Sequence, residues 1–405
     1  MLVNQTFEID SCDDEELGIR RTSKLEYRIS YDDEKDIKAI VFIIGGYGAN
    51  ANISFLDFDR EYIAKNFDVV VVHVFYHCFA NRQSNNTDKY SANVVFKDKD
   101  LNELKSKISH FGFNVEHITS ANVYEYLNFL NKSLEELKKQ KKISLDFKLE
   151  LTATFVPQNG DYQNYGIMAA IDHINALKDL VKRFPKFADL PKIYGGGSYG
   201  GYLSLLIAKI APWYVDGVID NSGSALPLLV SIIGGDANTG DFIFRTKNID
   251  LFCSTVSYWT RTDDLSPYFF GNENYMIRSL LNSSHLQIQA KKNNNIIFVS
   301  YHSAKDGFET SKDKEMLFKV YKALGYDATL YLIKDESEID GKFIKDLNHG
   351  MRISDKALFR KELPLMLEKL QGKKSFMQEN SISYPCGDQN FIFEDDKDKF
   401  TLIIT

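Results

Sequence analysis

The sequence predicts an α/β chain built on a doubly wound, mostly parallel sheet, carrying a helical insertion and a cap segment. Three observations carry this reading. Nearly continuous apolar runs at 38–44, 68–75, 215–221 and 295–301 have the composition of strands buried on both faces. Stretches with helical apolar spacing alternate with them, as at 165–184 and 311–324. Glycine-rich loops stand where strands end, at Gly45-Gly46-Tyr47-Gly48 and at 195–201, which is where such sheets bind ligands.

Taken in order, 6–9 and 25–31 read as strands joined by the acidic turn Asp13-Asp14-Glu15-Glu16, a solvated loop. The run 38–44, the glycine loop, a helix over 55–67 (Phe55, Phe58, Tyr62, Ile63) and the strand 68–75 make a βαβ unit. From 76 to 150 the pattern changes to a polar loop (81–90) and two helices, 101–111 and 115–142, which read as an insertion. The lysine run 138–142 suits a solvated helix end, where cations complement the dipole. A strand at 148–155 precedes the amphipathic helix 165–184, and Pro185 and Pro191 bracket the loop into the next strand. Residues 222–292 leave the alternation and read as a cap over the sheet edge. It resumes with a strand at 295–301, a helix at 311–324, a strand at 328–333 and a helix at 355–370. The expected organisation is therefore core (1–75), helical insertion (76–150), core (151–221), cap (222–292), core (293–371) and a C-terminal extension (372–405) with strand-like runs at 390–393 and 400–404.

Composition bounds the function. The 405 residues are 44% hydrophobic and 26% charged, ordinary values for a globular protein. A net charge of −7 argues against nucleic acid or an anionic membrane as partner. Cys12, Cys78, Cys253 and Cys386 are too widely spaced for a metal-ligand pattern and read as reduced thiols. The first residues lack a signal peptide's basic start and apolar core, and no run approaches the length of a membrane span. A cytoplasmic location is expected, with no cofactor and no metal.

The chemistry centres on Gly196-Gly197-Ser198-Tyr199-Gly200, a G-x-S-x-G pattern. Chance alone produces one in roughly one chain in ten of this size, since glycine is ~7% of residues. The setting adds weight: apolar strand residues lie upstream, and a helix over 202–211, stopped by Pro212, lies downstream. A serine on such a turn holds its hydroxyl clear of the backbone, and the following helix points free N–H groups at the space beside it. The strand 295–301 runs into Asp306, and the next strand is followed, after an insertion, by His349-Gly350. The order Ser198, Asp306, His349 is the chain order of α/β-hydrolases.

On these residues the chain resembles an α/β-hydrolase of the serine-esterase and prolyl-oligopeptidase branch, over about 25–75 and 160–370. Residues 195–201 and Val218-Ile219-Asp220-Asn221-Ser222 also resemble a family of hydrolase-like proteins encoded in flagellin-glycosylation gene clusters of ε-proteobacteria, which brings no established activity. The resemblance implies a sheet of α/β-hydrolase type and four roles: Ser198 as nucleophile, His349 as general base, Asp306 as the orienting acid, and N–H groups of Tyr199, Gly46 and Tyr47 as oxyanion hole.

Each role has a rival. His302 and His285 are alternative bases; His349 is preferred because its His-Gly pair follows the last core strand. Asp220 is the alternative acid, while Asp335, Asp340 and Asp346 read as solvated loop carboxylates. His73, His77 and Cys78 invite a metal reading, but no third ligand at suitable spacing is visible. In the cap, Tyr258, Trp259 and Arg261 would stack on a sugar and pair with a carboxylate, or else simply pack the cap; His302 is a further pocket candidate. The expected activity is serine-dependent cleavage of an ester, or of an amide, through an acyl-enzyme. The substrate is a small acylated molecule, an acylated sugar or glycan precursor being favoured. Two other readings fit the same residues: an acyltransferase acting on a sugar hydroxyl or amine, and a non-catalytic binding protein.

Overall fold

The computed structural model describes residues 1–47, 53–82, 89–237, 240–396 and 398–405. Gly48 and most of the polar loop 81–90 lie outside the described residues. The chain divides into two compact units. The first comprises Met1–Phe79, Asn164–Leu228 and Phe270–Thr405; the second comprises Ala80–Gln163 and Leu229–Phe269.

The first unit is built on eight strands: β1 (Leu2–Asp10), β2 (Lys24–Asp32), β3 (Ile40–Ile43), β4 (Val70–Phe75), β5 (Lys192–Gly197), β6 (Gly217–Asn221), β7 (Ile297–Ser303) and β8 (Asp327–Ile333). Their order across the sheet is β1-β2-β4-β3-β5-β6-β7-β8. The β1–β2 and β2–β4 pairs are antiparallel, and the other five are parallel. Parallel pairing requires crossovers, which here include α1 (Ile53–Phe67), α2 (Ile167–Arg183), α3 (Tyr199–Ile210) and α4 (Ser311–Ala323), while α5 (Asp355–Lys369) follows the last strand of this sheet. This is a mostly parallel, doubly wound sheet of α/β-hydrolase type.

Every residue of β3 and β6 is buried, as their unbroken apolar runs require. Val41, Ile43, Ile193 and Ile219 pack with Phe359, Leu363 and Met366 of α5 in one core cluster. Phe42 and Tyr194 stack at 4.6 Å, and His173 of α2 meets Phe42 edge-on. Helix α1 departs from the expected spacing. Ile63 is buried, whereas Phe55 and Phe58 stand exposed, the Lys356 ammonium resting 4.3 Å from the Phe58 ring.

The tail is an integral part of this unit. It forms a three-stranded antiparallel sheet, Ser381–Cys386, Gln389–Asp396 and Lys399–Ile404. Asp395 fastens it, taking Lys178 Nζ at 2.5 Å, Tyr214 Oη at 3.0 Å and Trp213 Nε1 at 3.2 Å. The first of these strands is not read from the sequence because it contains Pro385, which lacks a backbone donor; an outer strand tolerates it.

The second unit corrects the expected boundaries. Leu149–Val156, expected as a strand over 148–155 running from the insertion into the core segment 151–221, pairs with Ile249–Thr255 from the cap segment in a parallel ladder. Asn93–Val95 and Phe242–Arg245 complete a four-stranded sheet, so the insertion is not purely helical. Its core joins Leu151, Ala153 and Phe155 to Leu104 and Ile108 of the helix Asp98–Ser109, and to Leu130 and Leu134 of the helix Val123–Lys139. The helix expected over 115–142 begins only at Val123. Asn114 and Asn122 spend their side chains on the amides of Glu116 and Thr119, building turns in place of the first helical residues. The remaining cap residues, 222–228 and 270–292, belong to the first unit, the latter carrying the helices Asn272–Arg278 and Ser283–Lys292.

All four cysteines are buried, and none is in a disulfide. Among the described residues, no helix is long and apolar enough to cross a membrane.

Candidate active site

Ser198 occupies the turn between β5 and α3 at φ +56° and ψ −122°, a backbone conformation that side chains rarely adopt. The glycines around it are required by contact. A Cβ on Gly196 would lie 2.0 Å from the Ile44 carbonyl oxygen, and one on Gly200 would lie 1.9 Å from the same atom. A Cβ on Gly201 would meet Asp220 Oδ1 at 2.0 Å. The strand end therefore threads a gap that admits only bare backbone, and the Ser198 amide closes onto the Asn221 carbonyl at 2.7 Å.

The loops after β7 and β8 converge on this serine. His349 Nε2 lies 2.7 Å from Ser198 Oγ, and His349 Nδ1 lies 2.8 Å from Asp306 Oδ2. With its proton on Nδ1, the imidazole donates to Asp306 and accepts from the serine hydroxyl. The Asp306 side chain is fully buried, and His349 retains 22% of its side-chain surface. Burial alone would raise the Asp306 carboxyl. The hydrogen bond from His349 and the N–H groups of Phe308 (2.9 Å) and Glu309 (3.2 Å) outweigh it, holding the group below the ordinary range. The His349 loop is itself pinned. Asn221 Nδ2 donates to the Gly350 carbonyl at 3.0 Å, and Ser303 Oγ at the end of β7 donates to the Leu347 carbonyl at 2.6 Å. Gly350, Met351 and Arg352 all have positive φ, so the turn presenting the imidazole is strained.

Of the expected oxyanion donors, Tyr199 and Gly46 adjoin Ser198. Tyr199 opens α3, where its N–H has no intrahelical acceptor. A Cβ placed on Gly46 would sit 3.6 Å from Ser198 Cβ, so the glycine loop after β3 approaches the nucleophile closely. Tyr47 rests its ring 5.5 Å from that of Tyr199, and Tyr76 Oη steadies the loop through the Gly45 carbonyl at 3.0 Å.

The rival residues lie elsewhere. Asp220 is fully buried, tied to Lys314 Nζ (2.5 Å), Ser300 Oγ (2.5 Å) and the Gly223 amide (2.8 Å), an anchor inside the fold. His285 faces the Pro385 carbonyl at 2.9 Å, and burial lowers it to about 4. His302, expected to line the pocket, has no exposed side-chain surface. It sits on β7 with Nε2 3.9 Å from Asp306 Oδ2, so a substrate cannot touch it. His73 is buried within β4 and pushed down to about 3. Among the described residues, no group of three or more His, Cys, Asp or Glu side chains converges to hold a metal.

Tyr258, Trp259 and Arg261 belong to the second unit. Trp259 is buried there, lining a cleft of about 490 Å³ with Phe252, Thr152 and Asp236. Tyr258 packs on Tyr162 at 5.0 Å but stays half-exposed, and the Arg261 guanidinium lies 5.5 Å over the Phe269 ring.

Asp355 escapes sequence reading. Its Oδ1 accepts the Gly197 N–H at 2.9 Å, bracing the residue before the nucleophile, and burial raises its carboxyl to about 7. The only sequence signal is a carboxylate in the first turn of the helix following the His349 loop.

One family model matches residues 5–404, nearly the whole chain. The chain belongs to the family described as "Protein of unknown function (DUF2920)". No curated protein sequence matches it. Among solved structures it is similar to an acylaminoacyl peptidase of Pyrococcus horikoshii at TM-score 0.46 and 15% identity, covering 94% of this chain and 43% of that one. It is also similar to a puromycin-hydrolysing peptidase of Mycobacterium tuberculosis at TM-score 0.47 and 13% identity, covering 91% and 39%. A thermostable carboxyl esterase of Bacillus coagulans matches at TM-score 0.44 and 12% identity, covering 91% of this chain and 98% of that one. The chain thus spans less than half the length of the two peptidases.

Proposed function

We propose that this chain is a serine hydrolase that cleaves an ester through an acyl-enzyme. One observation carries the reading: the continuous hydrogen-bonded line from Asp306 through His349 to Ser198, at 2.8 and 2.7 Å.

A free serine hydroxyl is a weak nucleophile. As Oγ attacks the substrate carbonyl carbon, its proton passes to His349 Nε2, and Asp306 stabilises the resulting imidazolium. The carbonyl oxygen becomes an anion between the N–H groups of Tyr199 and of the Gly46-Tyr47 loop; removing one such donor typically costs about 100–1,000-fold in rate. Collapse of the intermediate breaks the bond to the leaving group, which takes the proton from His349. Water, deprotonated by the same imidazole, then attacks the acyl-Ser198 ester and restores the hydroxyl.

A neutral alkyl fluorophosphonate tests this directly, since it reacts only with an activated serine. Wild type is expected to become labelled on Ser198 and Ser198→Ala to remain unlabelled. Wild type that resists labelling while folded overturns the proposal and leaves a binding protein; an acyl group delivered to an added alcohol or amine in preference to water points to a transferase.

A further inference from the structure

Glu309 is three residues beyond Asp306, and its own N–H donates to that carboxylate at 3.2 Å. Its carboxyl accepts a hydrogen bond from Ser224 Oγ. Ser224 lies on the loop after β6, three residues beyond Asn221, whose carbonyl receives the Ser198 amide. Glu309 is therefore lodged beside the carboxylate that orients His349, with only 9% of its surface exposed.

Buried carboxylates are normally paired with a cation. Lys314 is near enough to influence Glu309, but its ammonium is committed to Asp220 at 2.5 Å and the Gly223 carbonyl at 2.7 Å. His349 is engaged by Asp306 and Ser198. Among the described residues no lysine or arginine forms an ion pair with Glu309, so a buried carboxyl group beside Asp306 has a single serine as its hydrogen-bond donor.

We infer that Glu309 anchors a cationic group of the substrate, a primary ammonium or a guanidinium placed near the acyl bond that is cleaved. This rests on the hydrolase reading for the word substrate, but not for the binding. The neighbouring Phe308 is 73% exposed with its ring 5.2 Å from that of His349, and it offers an apolar wall to the methylene stem of such a group. Selection should sharpen with pH. Burial raises the Glu309 carboxyl to about 7, Asp306 adding to the effect and Ser224, His349 and Lys314 opposing it; the phenols of Tyr202 and Tyr275 face it from α3 and from Asn272–Arg278. Above that pH the anchor is charged without needing a ligand to ionise it.

The test compares hexylammonium with hexanol, alike in length and differing in charge, as agents that protect Ser198 from a neutral fluorophosphonate. In wild type at pH 8 the ammonium should protect at a concentration at least tenfold lower than the alcohol, and in Glu309→Gln the two should protect alike. Equal protection in wild type, or an ammonium preference that survives in Glu309→Gln, overturns the proposal. Should Glu309→Gln fail to fold, Glu309→Asp withdraws the charge by one methylene and should shrink the preference at least threefold. Calorimetric binding of hexylammonium to Ser198→Ala reads the anchor without any chemistry. Binding that weakens at least tenfold in Ser198→Ala/Glu309→Gln supports it, and absent or unchanged binding overturns it. Wild type that resists labelling but binds the ammonium through Glu309 would remove the hydrolase reading and keep the anchor.

Discussion

Replacing Asp306 by asparagine exchanges one oxygen for an NH2 group and leaves the shape of the site nearly intact, so its consequence can be followed atom by atom. In the native arrangement His349 Nδ1–H donates to Asp306 Oδ2 at 2.8 Å, which forces Nε2 to be the acceptor facing Ser198 Oγ at 2.7 Å. An amide held by the same loop presents N–H toward Nδ1 when its oxygen keeps the Phe308 and Glu309 amides that Asp306 Oδ1 now accepts. Nδ1 must then accept, the proton moves to Nε2, and the base confronts the serine hydroxyl with a donor. The lone pair that should take the proton is gone, and so is the negative charge that stabilises the imidazolium. Loss of both costs about 10⁴-fold in a serine protease triad, or roughly 5.5 kcal/mol of barrier. The assay is the second-order rate of Ser198 phosphonylation by a neutral fluorophosphonate at pH 8. A matched unfolding curve checks that Asp306→Asn remains folded. The expected loss is three to four orders of magnitude. A folded variant that reacts within tenfold of wild type would refute the reasoning, because the tautomer would then not be controlled by this carboxylate.

Two further changes test the architecture around the site. Gly200→Ala places a methyl 1.9 Å from the Ile44 carbonyl oxygen, backbone against backbone, and should lower stability by about 3 kcal/mol, whereas Gly307→Ala, with nothing within 4 Å, should be nearly neutral; chemical denaturation of both distinguishes them. Asp355→Asn concerns pH: burial raises the native carboxyl from 3.8 to about 7, so its contribution to stability is full below the unfolded value and is lost as pH rises through about 7. The asparagine keeps an acceptor for the Gly197 N–H and cannot ionise, so the variant should melt higher than wild type at pH 8 and the gain should vanish near pH 4; a lower melting temperature at pH 8 would show the charged form to be favoured.

What could be read from the chain beforehand follows the range of the interactions concerned. The G-x-S-x-G turn is legible because the demand of one distant carbonyl, that of Ile44, falls on two glycines only four positions apart, Gly196 and Gly200, and so leaves a compact pattern in the sequence. Asp306 and His349 are legible because adjacent parallel strands deliver their following loops to the same sheet edge. The second unit is not, since Leu149–Val156 finds its partner strand about a hundred residues on, and nothing in either segment's alternation names the other. Asp355 and Glu309 are invisible for a different reason. Among 56 acidic residues they differ by burial and by which amide or hydroxyl they meet, properties that the neighbouring residues in sequence do not encode.

The two histidines near Asp306 show the same limit at its sharpest. His302 and His349 both lie at or after the end of a core strand, and both place a ring nitrogen within 4 Å of the same carboxylate oxygen. Depth separates them. His302 is fixed within β7, where burial lowers its basicity and no surface is left to meet a reactant. His349 stands on a strained turn with one edge uncovered and a nitrogen on the serine hydroxyl. A general base must be open enough to pass its proton to a leaving group, and of the two only His349 has side-chain surface exposed, 22% against none for His302. The positive φ values at 350–352 belong to the turn that carries this imidazole between a buried carboxylate and a hydroxyl.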